Sequence, residues 1–321
     1  MDETRLAARV ANRKFEAEGI VSLELVSVDN RPLPAFSAGA HVDLYMGNGI
    51  MRQYSICNDP SERHRYLLGI LKEPSSRGGS LFVHENLQVG TDVSVGLPRC
   101  NFPLEEAASK SVLIAGGIGI TPMLAMAYRL ARLGKSFHIH YCARSLDRVA
   151  FRDQLDDAPL AGSTHLHVDD GDPAQRFSFG DDIGLPEDDT HLYVCGPEGF
   201  INYIVEQSSL FGWSASQVHV EFFRAQAKSA DGDHPISVTA ARSGITVEVE
   251  AGRSIASVLL ENGVDIAVAC EQGICGTCVT SVLEGEPLHR DEYLSAVEKA
   301  SNKLIMVCCS RAKTGSLVLD V

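Results

Sequence analysis

Long apolar runs are missing from this 321-residue chain. The longest stretch free of charge, 111–128, would barely span a bilayer and has three glycines and a proline at its middle, so it reads as strand, turn and helix. A secretory leader is missing too: "MDETRLAARVANRKFEAEG" places two acids among the first three residues and has no apolar h-region. The expectation is a cytoplasmic protein with no membrane contact. Basic residues are scarce, 28 lysines and arginines against 42 acids for a net charge of −14. That excludes nucleic acid as the natural partner and suits solubility and a protein partner steered by charge. There is no internal repeat, no low-complexity tract and no constellation that would supply a general base.

What is present is ordinary globular composition, 45% apolar and 22% charged, at a length that predicts two or three domains. From residue 7 to about 102, short alternating runs such as "IVSLELVSV", "HVDLYM", "RQYSIC" and "YLLGIL" are separated by turn residues. This predicts an antiparallel β-barrel or sandwich. From about 110 the rhythm changes. "SVLIAG" is a continuous apolar strand, and "TPMLAMAYRLARLG" reads as a helix with Thr121 as N-cap, Pro122 at the first helical position and Gly134 closing it. Further strands, "FHIHYCAR", "THLHVDD" and "HLYVCG", predict a parallel sheet with helices packed on it. The polar stretch 224–235 is the best linker, and "ISVTAARSGITVEVEAGRSIASVLLENG" after it reads as a hairpin and a helix. The expected domains are 1–106, 107–226 and 235–321.

Nine cysteines are scattered along the chain, and three of them crowd into "CEQGICGTC" at 270–278. A disulfide framework is out of place in a cytosolic protein, and a zinc site would prefer paired C-x2-C knuckles, of which only one exists here. Cys270, Cys275 and Cys278 make C-x4-C-x2-C, and Cys308 follows after 29 intervening residues. This is the plant-type [2Fe–2S] spacing with its distant fourth thiolate. Gly273 and Gly276 let the loop wrap tightly and turn backbone N–H groups towards the sulfurs. Cys309 is a rival ligand. Neighbours on a strand face opposite ways, and the spacing favours Cys308.

Two more signals lie upstream. "AGGIGITP" (115–122) stands between a strand and a helix, where backbone N–H groups can hold a pyrophosphate. "YVCGPEGF" (193–200) is a second turn at a strand end, with Pro197 opening a helix. Two such turns in one open sheet build a dinucleotide cleft, although either alone could be a plain strand–helix turn. In the barrel, Arg52 of "RQYS" could clamp a phosphate, and Gly78–Gly79–Ser80 could form an anion nest. Asp169, Asp170 and Asp172 in "HVDDGD" suit a ribose diol and would repel a 2′-phosphate, which predicts NADH; Arg144 is the counter-candidate.

R-x-Y-S, G-G-x-G-x-T-P, C-G-P and the C-terminal C-x4-C-x2-C…C, together with "HRDEYLS" at 289–295, resemble the phthalate dioxygenase reductase family over essentially the whole chain. The resemblance implies three domains: an antiparallel β-barrel for flavin, an α/β parallel-sheet domain for nucleotide and an α+β β-grasp ferredoxin domain. That domain order implies FMN instead of FAD. It implies that Arg52, Gln53, Tyr54, Ser55 and Lys72 hold the flavin, with Ser55 near its reactive nitrogen, and that Gly78, Gly79 and Ser80 bind its phosphate. Gly116, Gly117, Gly119, Thr121, Asp169, Gly196 and Pro197 would receive NADH. Cys195 would lie beside the nicotinamide, and Phe223 would cover the flavin. Phe222 next to Phe223 leaves two aromatics for that role. The implied acceptor is the terminal, Rieske-type component of an aromatic-ring oxygenase or O-demethylase, served by a monomeric reductase. A redox sensor would explain the cysteines but not two nucleotide turns. A reductase of a small acceptor, such as free flavin or quinone, would need no relay domain.

Overall fold

The structure is a computed structural model that describes residues 5–321 apart from 48–49, 74–77, 224–232, 269–270, 272 and 275. Cys270, Cys275 and most of the expected linker therefore lie outside the described residues. The chain divides into two compact units, Met1–Glu221 and Phe222–Val321.

The first unit opens with β1 (Arg5–Ala17), β2 (Ile20–Ser27), β3 (Ala40–Tyr45), β4 (Met51–Ser55) and β5 (Tyr66–Leu71), followed by α1 (Gly79–Asn86), β6 (Asp92–Gly96) and β7 (Arg99–Cys100). The sheet order is β4-β3-β6-β1-β2-β5, with β7 on β3. An antiparallel bridge from Ile56 to Leu68 joins the two outer strands. Closure removes exposed edges and seals Val10, Leu23, Val42, Leu44 and Leu68 inside.

The same unit continues with β8 (Lys110–Gly116), α2 (Ile120–Leu133), β9 (Ser136–Ala143), α3 (Arg152–Asp156), β10 (Thr164–Val168), α4 (Phe179–Asp182), β11 (Thr190–Cys195), α5 (Glu198–Leu210) and β12 (Val218–Glu221). All five strands run parallel, in the order β10-β9-β8-β11-β12. The strand order reverses between β8 and β11, which places a crevice at their carboxyl ends. β8 is central and almost entirely buried, which is why its sequence is a continuous apolar run.

Three expectations need correction here. Pro122 is the third residue of α2, which begins at Ile120, not its first. Thr121 does not cap α2. A 3-10 turn at Gly117–Gly119 starts the helix with backbone carbonyls, the N-cap is Gly119, and Thr121 sits inside the first turn with its hydroxyl donating to the Ile118 carbonyl at 3.0 Å. Pro197 is itself the N-cap of α5 instead of its first helical residue. Gly134 does close α2. Its φ of 66° lets Gly134 N and Lys135 N reach the Ala131 and Leu130 carbonyls.

The second unit contains β13 (Ile236–Ala240), β14 (Ile245–Val249), α6 (Ile255–Glu261), β15 (Val279–Glu284), β16 (Pro287–Leu288), α7 (Ala296–Ser301), β17 (Leu304–Met306), β18 (Arg311–Ala312) and β19 (Ser316–Leu319). Its mixed sheet, β14-β13-β19-β15-β17, has β13 parallel to β19 and packs α6 across it. This is the β-grasp arrangement. Ser254 caps α6 by accepting from Ser257 N, and Ser295 with Glu298 forms a capping box on α7. No described helix is long and apolar enough to cross a membrane.

Candidate functional site

The crevice between β8 and β11 is built from backbone. Ala115 pairs with Cys195 at the strand ends. A Cβ on Gly119 would run into the Cys195 carbonyl, and one on Gly116 would stand 2.9 Å from the Phe200 ring and 3.0 Å from Pro197. Gly117 holds a φ of 55°, a region that favours glycine. The two turns found in the sequence are thus one site, with Gly116, Gly117, Gly119, Cys195, Gly196 and Pro197 packed together. Thr121 belongs to its floor. Its hydroxyl closes the turn, and its methyl lies where a Cβ on Gly69 of β5 would come within 2.6 Å. The nucleotide turn therefore abuts the barrel.

Cys195 is fully buried, and burial, then the neighbouring Glu221, push its thiol well above the usual range. Glu221 stands opposite Cys195 in the β11–β12 pair. Desolvation pushes this carboxyl up to about 8, and Oε2 has no hydrogen-bond partner among the described residues. Desolvation therefore favours the protonated carboxyl. Sequence reasoning passes over Glu221, because its importance rests on register with a strand far away in the chain. Its one local signal is an acid in the "VHVEFF" strand.

At the outer end of the sheet, Asp169 is exposed just past β10, its N–H donating to the Ala143 carbonyl at 3.0 Å. Asp170 N donates to the Arg144 carbonyl at 3.2 Å. Asp169 and Asp170 thus stand at the same carboxyl end, while Asp172, the third candidate, caps the next turn by accepting from Ala174 N at 2.9 Å.

On the barrel, β4 splits its four motif residues between two faces. Tyr54 lies opposite Val42 and Arg52 opposite Leu44 on one face, while Gln53 and Ser55 lie opposite Asp43 and His41 on the other. Gln53 Nε2 donates to Asp43 Oδ1 at 3.0 Å, as does Arg99 at 2.8 Å. Burial pushes the Tyr54 phenol up. Burial lowers the His41 imidazole to about 4, and its Nε2 has no partner among the described residues.

The glycine nest proves to be a helix start. Gly78, at φ 88°, is the N-cap of α1 with no side chain capping it. Arg52 lies across that end, since a Cβ on Gly79 would stand 2.6 Å from its Cγ and 2.9 Å from its Nε. A guanidinium beside uncapped helix N–H groups forms an anion site, so these residues fit a phosphate. Ser80 Oγ accepts from Glu73 N at 3.1 Å, and Lys72 Nζ lies 4.0 Å from Glu85.

In the second unit, Cys278 and Cys308 are buried. The antiparallel pairing of Val279 with Met306 leaves them at the same end of the β15–β17 ladder. Cys308 and Cys309 sit on a turn after β17, not on a strand, with Cys309 N and Ser310 N both donating to the Met306 carbonyl. The alternation argument for choosing between them therefore does not apply. Gly273 and Gly276 hold φ of 73° and 76°. A Cβ on Gly273 would meet Asp291 and Cys309 Sγ, and one on Gly276 would enter the Tyr293 ring. Asp291 ties these segments together: its fully buried carboxylate accepts from Leu294 N at 2.8 Å and from the Ser310 hydroxyl at 3.3 Å. Glu292 N donates to the Gly273 carbonyl at 3.1 Å. A tightly turned loop beside two buried thiols fits a thiolate-held cluster. Phe223 lies at the start of this unit and is partly buried.

Comparison with known proteins agrees with this partition. The model of a 2Fe-2S iron-sulfur cluster binding domain matches residues 238–313, and that of an oxidoreductase NAD-binding domain matches 113–206. A vanillate O-demethylase oxidoreductase from a Pseudomonas species is 44% identical, covering 97% of this chain and 98% of its own. A tetrachlorobenzoquinone reductase from Sphingobium chlorophenolicum is 41% identical over 95% and 94% of the two chains. Among solved structures, phthalate dioxygenase reductase, described as a modular structure for electron transfer from pyridine nucleotides to [2Fe-2S], superposes with a TM-score of 0.77. Its identity is 38%, over 99% of this chain and 98% of its own. The chain belongs to the phthalate dioxygenase reductase family, as an oxidoreductase with an NAD-binding domain and a [2Fe–2S] cluster-binding domain.

Proposed function

We propose that this reductase draws electrons from NADH through FMN to its [2Fe–2S] cluster, and delivers them to the terminal, Rieske-type component of an aromatic-ring oxygenase or O-demethylase. The observation that carries the reading is the meeting of the nucleotide turn with the barrel at Thr121 and Gly69, in a chain that also holds a cluster-binding domain. When bound, the flavin supplies the conversion of a hydride's electron pair into single electrons, which the cluster requires.

The residues divide the work as follows. Arg52 with Gly78, Gly79 and Ser80 at the α1 start holds the FMN phosphate. Gln53, Tyr54, Ser55 and Lys72 line the rest of its site, with Ser55 near the reactive nitrogen, and Phe223 covers it. The glycines 116, 117, 119 and 196 bring backbone close to the nucleotide, with Thr121 and Pro197 shaping the turns, and Asp169 accepts from the ribose diol. Buried as a neutral thiol, Cys195 keeps water and charge away from the nicotinamide. Cys270, Cys275, Cys278 and Cys308 are the cluster ligands. The domains run 1–106, 107–226 and 235–321, in a cytoplasmic monomer.

Reduction of a purified Rieske oxygenase by NADH and this protein, followed by identification of the oxidised aromatic product, tests the reading. Turnover that favours NADPH would reject the role of Asp169. A second reading, transfer to a quinone, is favoured by the quinone reductase relative. It would be preferred if a chloroquinone were reduced at the full NADH rate by protein stripped of its cluster.

A further inference from the structure

We propose that the α/β domain carries a transition-metal site formed by His140, His167 and Asp182, of the kind that takes zinc(II) through imidazole nitrogen and carboxylate oxygen. None of the three takes part in the nucleotide turns. β9 and β10 run parallel with His140 beside His165 and Cys142 beside His167, so alternation gathers the histidines of "FHIHY" and "THLHV" on one face. His140 and His167 are 5% and 8% exposed. His140 Nδ1 lies 3.1 Å from His167 Nε2, with the rings 17° from parallel.

The tautomer of His167 follows from its other contact. Its Nδ1 lies 3.2 Å from the Gln175 carbonyl, which can only accept. Nδ1 therefore carries the proton and Nε2 presents a lone pair, the outer-shell arrangement of metal-bound imidazoles. Asp182, at the end of α4, accepts from Ser178 N at 2.7 Å through Oδ2, which steadies the carboxylate. One donor atom from each of the three residues lies within 4.8 Å of the others. Tetrahedral zinc, with Zn–N bonds of about 2.0–2.1 Å, sets its donors roughly 3.3 Å apart. The imidazole pair already has nearly that spacing; Asp182 Oδ2 lies 3.9 Å from His167 Nδ1, so the carboxylate has to swing towards Nε2 to complete the set. Exposed His165 stacks on His140, Phe177 packs edge-on against both imidazoles, and Asp182 is partly exposed. A hydrogen bond between two rings accounts for their spacing, but not for a carboxylate with a donor atom within 4.8 Å of both imidazoles.

Zinc titration of the holoenzyme tests this, with calorimetry for stoichiometry and zinc-edge X-ray absorption for the ligand shell. One zinc per chain is expected, in a nitrogen/oxygen shell without sulfur and with the cluster absorbance unchanged. Asp182→Asn, near the surface, should weaken binding at least tenfold, and His167→Gln should abolish it. Three results would overturn the site: no binding at tens of micromolar zinc, a sulfur shell at about 2.3 Å marking thiol ligation, or binding unaffected by either variant. If His167→Gln fails to fold, Asp182→Asn decides alone.

Discussion

Glu221 stands directly opposite Cys195 at the carboxyl end of the parallel sheet, a half-buried acid beside a fully buried thiol. Burial raises the Glu221 carboxyl from 4.5 to about 8. An acid with a raised folded pKa binds its proton more tightly folded than unfolded. Its contribution is thus fully present below about 4.5 and lost as pH rises through about 8. The melting temperature of the protein without nucleotide should fall between pH 6 and 9. Glu221→Gln should flatten that fall by roughly 5 °C or more, taking about 2–4 °C per kcal/mol. Parallel profiles for the two proteins would show that the carboxyl is not buried in solution.

Gly119→Ala would push a methyl into the Cys195 carbonyl. We expect a loss of about 2–3 kcal/mol from overpacking and at least a tenfold rise in the NADH concentration needed for flavin reduction. Bound flavin should persist. Calorimetry and stopped-flow reduction read these separately.

Arg52→Ala should give protein with substoichiometric FMN and a normal iron content, because the guanidinium lies across the start of α1, whereas the cluster cysteines belong to the other unit. Arg52→Lys should recover only part of the flavin, since a point charge replaces a fork of donors. Acid extraction and chromatography measure the ratio and should release FMN, not FAD.

Cys308→Ser should remove the [2Fe–2S] absorption, while Cys309→Ser should keep it. Cys309 Sγ lies against the Gly273 backbone and 3.8 Å from both the Met306 carbonyl and Ser310 Oγ. Loss of iron in the Cys309 variant alone would reverse the assignment.

The segment 235–321 carries 11 acids against 7 lysines and arginines, a net −4. Glu271 is exposed in the cluster loop, where an electron leaving the cluster for a protein partner would pass. Glu271→Lys should slow electron delivery to an oxygenase several-fold at low salt, with the difference fading as salt rises. NADH-driven reduction of a small dye should stay unchanged. An equal loss in both assays would place the damage at flavin or cluster.

Much of this protein was legible in its sequence, because the signals depend on near neighbours. Alternation in "HVDLYM" marks β3, the apolar run "SVLIAG" marks a central parallel strand, and the hairpin and helix after residue 235 fall where their turn residues put them. The C-x4-C-x2-C spacing specifies its chemistry for the same reason: one loop must supply three thiolates within a few ångströms.

What tertiary structure decided depends on segments distant in sequence. Thr121 looked like a cap until the 3-10 turn before it supplied the carbonyls and β5 claimed its methyl. Glu221 acquires its raised pKa only because β12 registers against Cys195, and His140 meets His167 only because β9 and β10 align. Cys308 and Cys309 leave strand geometry because Met306 turns the chain after β17. Local pattern specifies elements through short-range sterics and periodicity. Charge states and convergent side chains come from the register between elements, which only the assembled sheets impose.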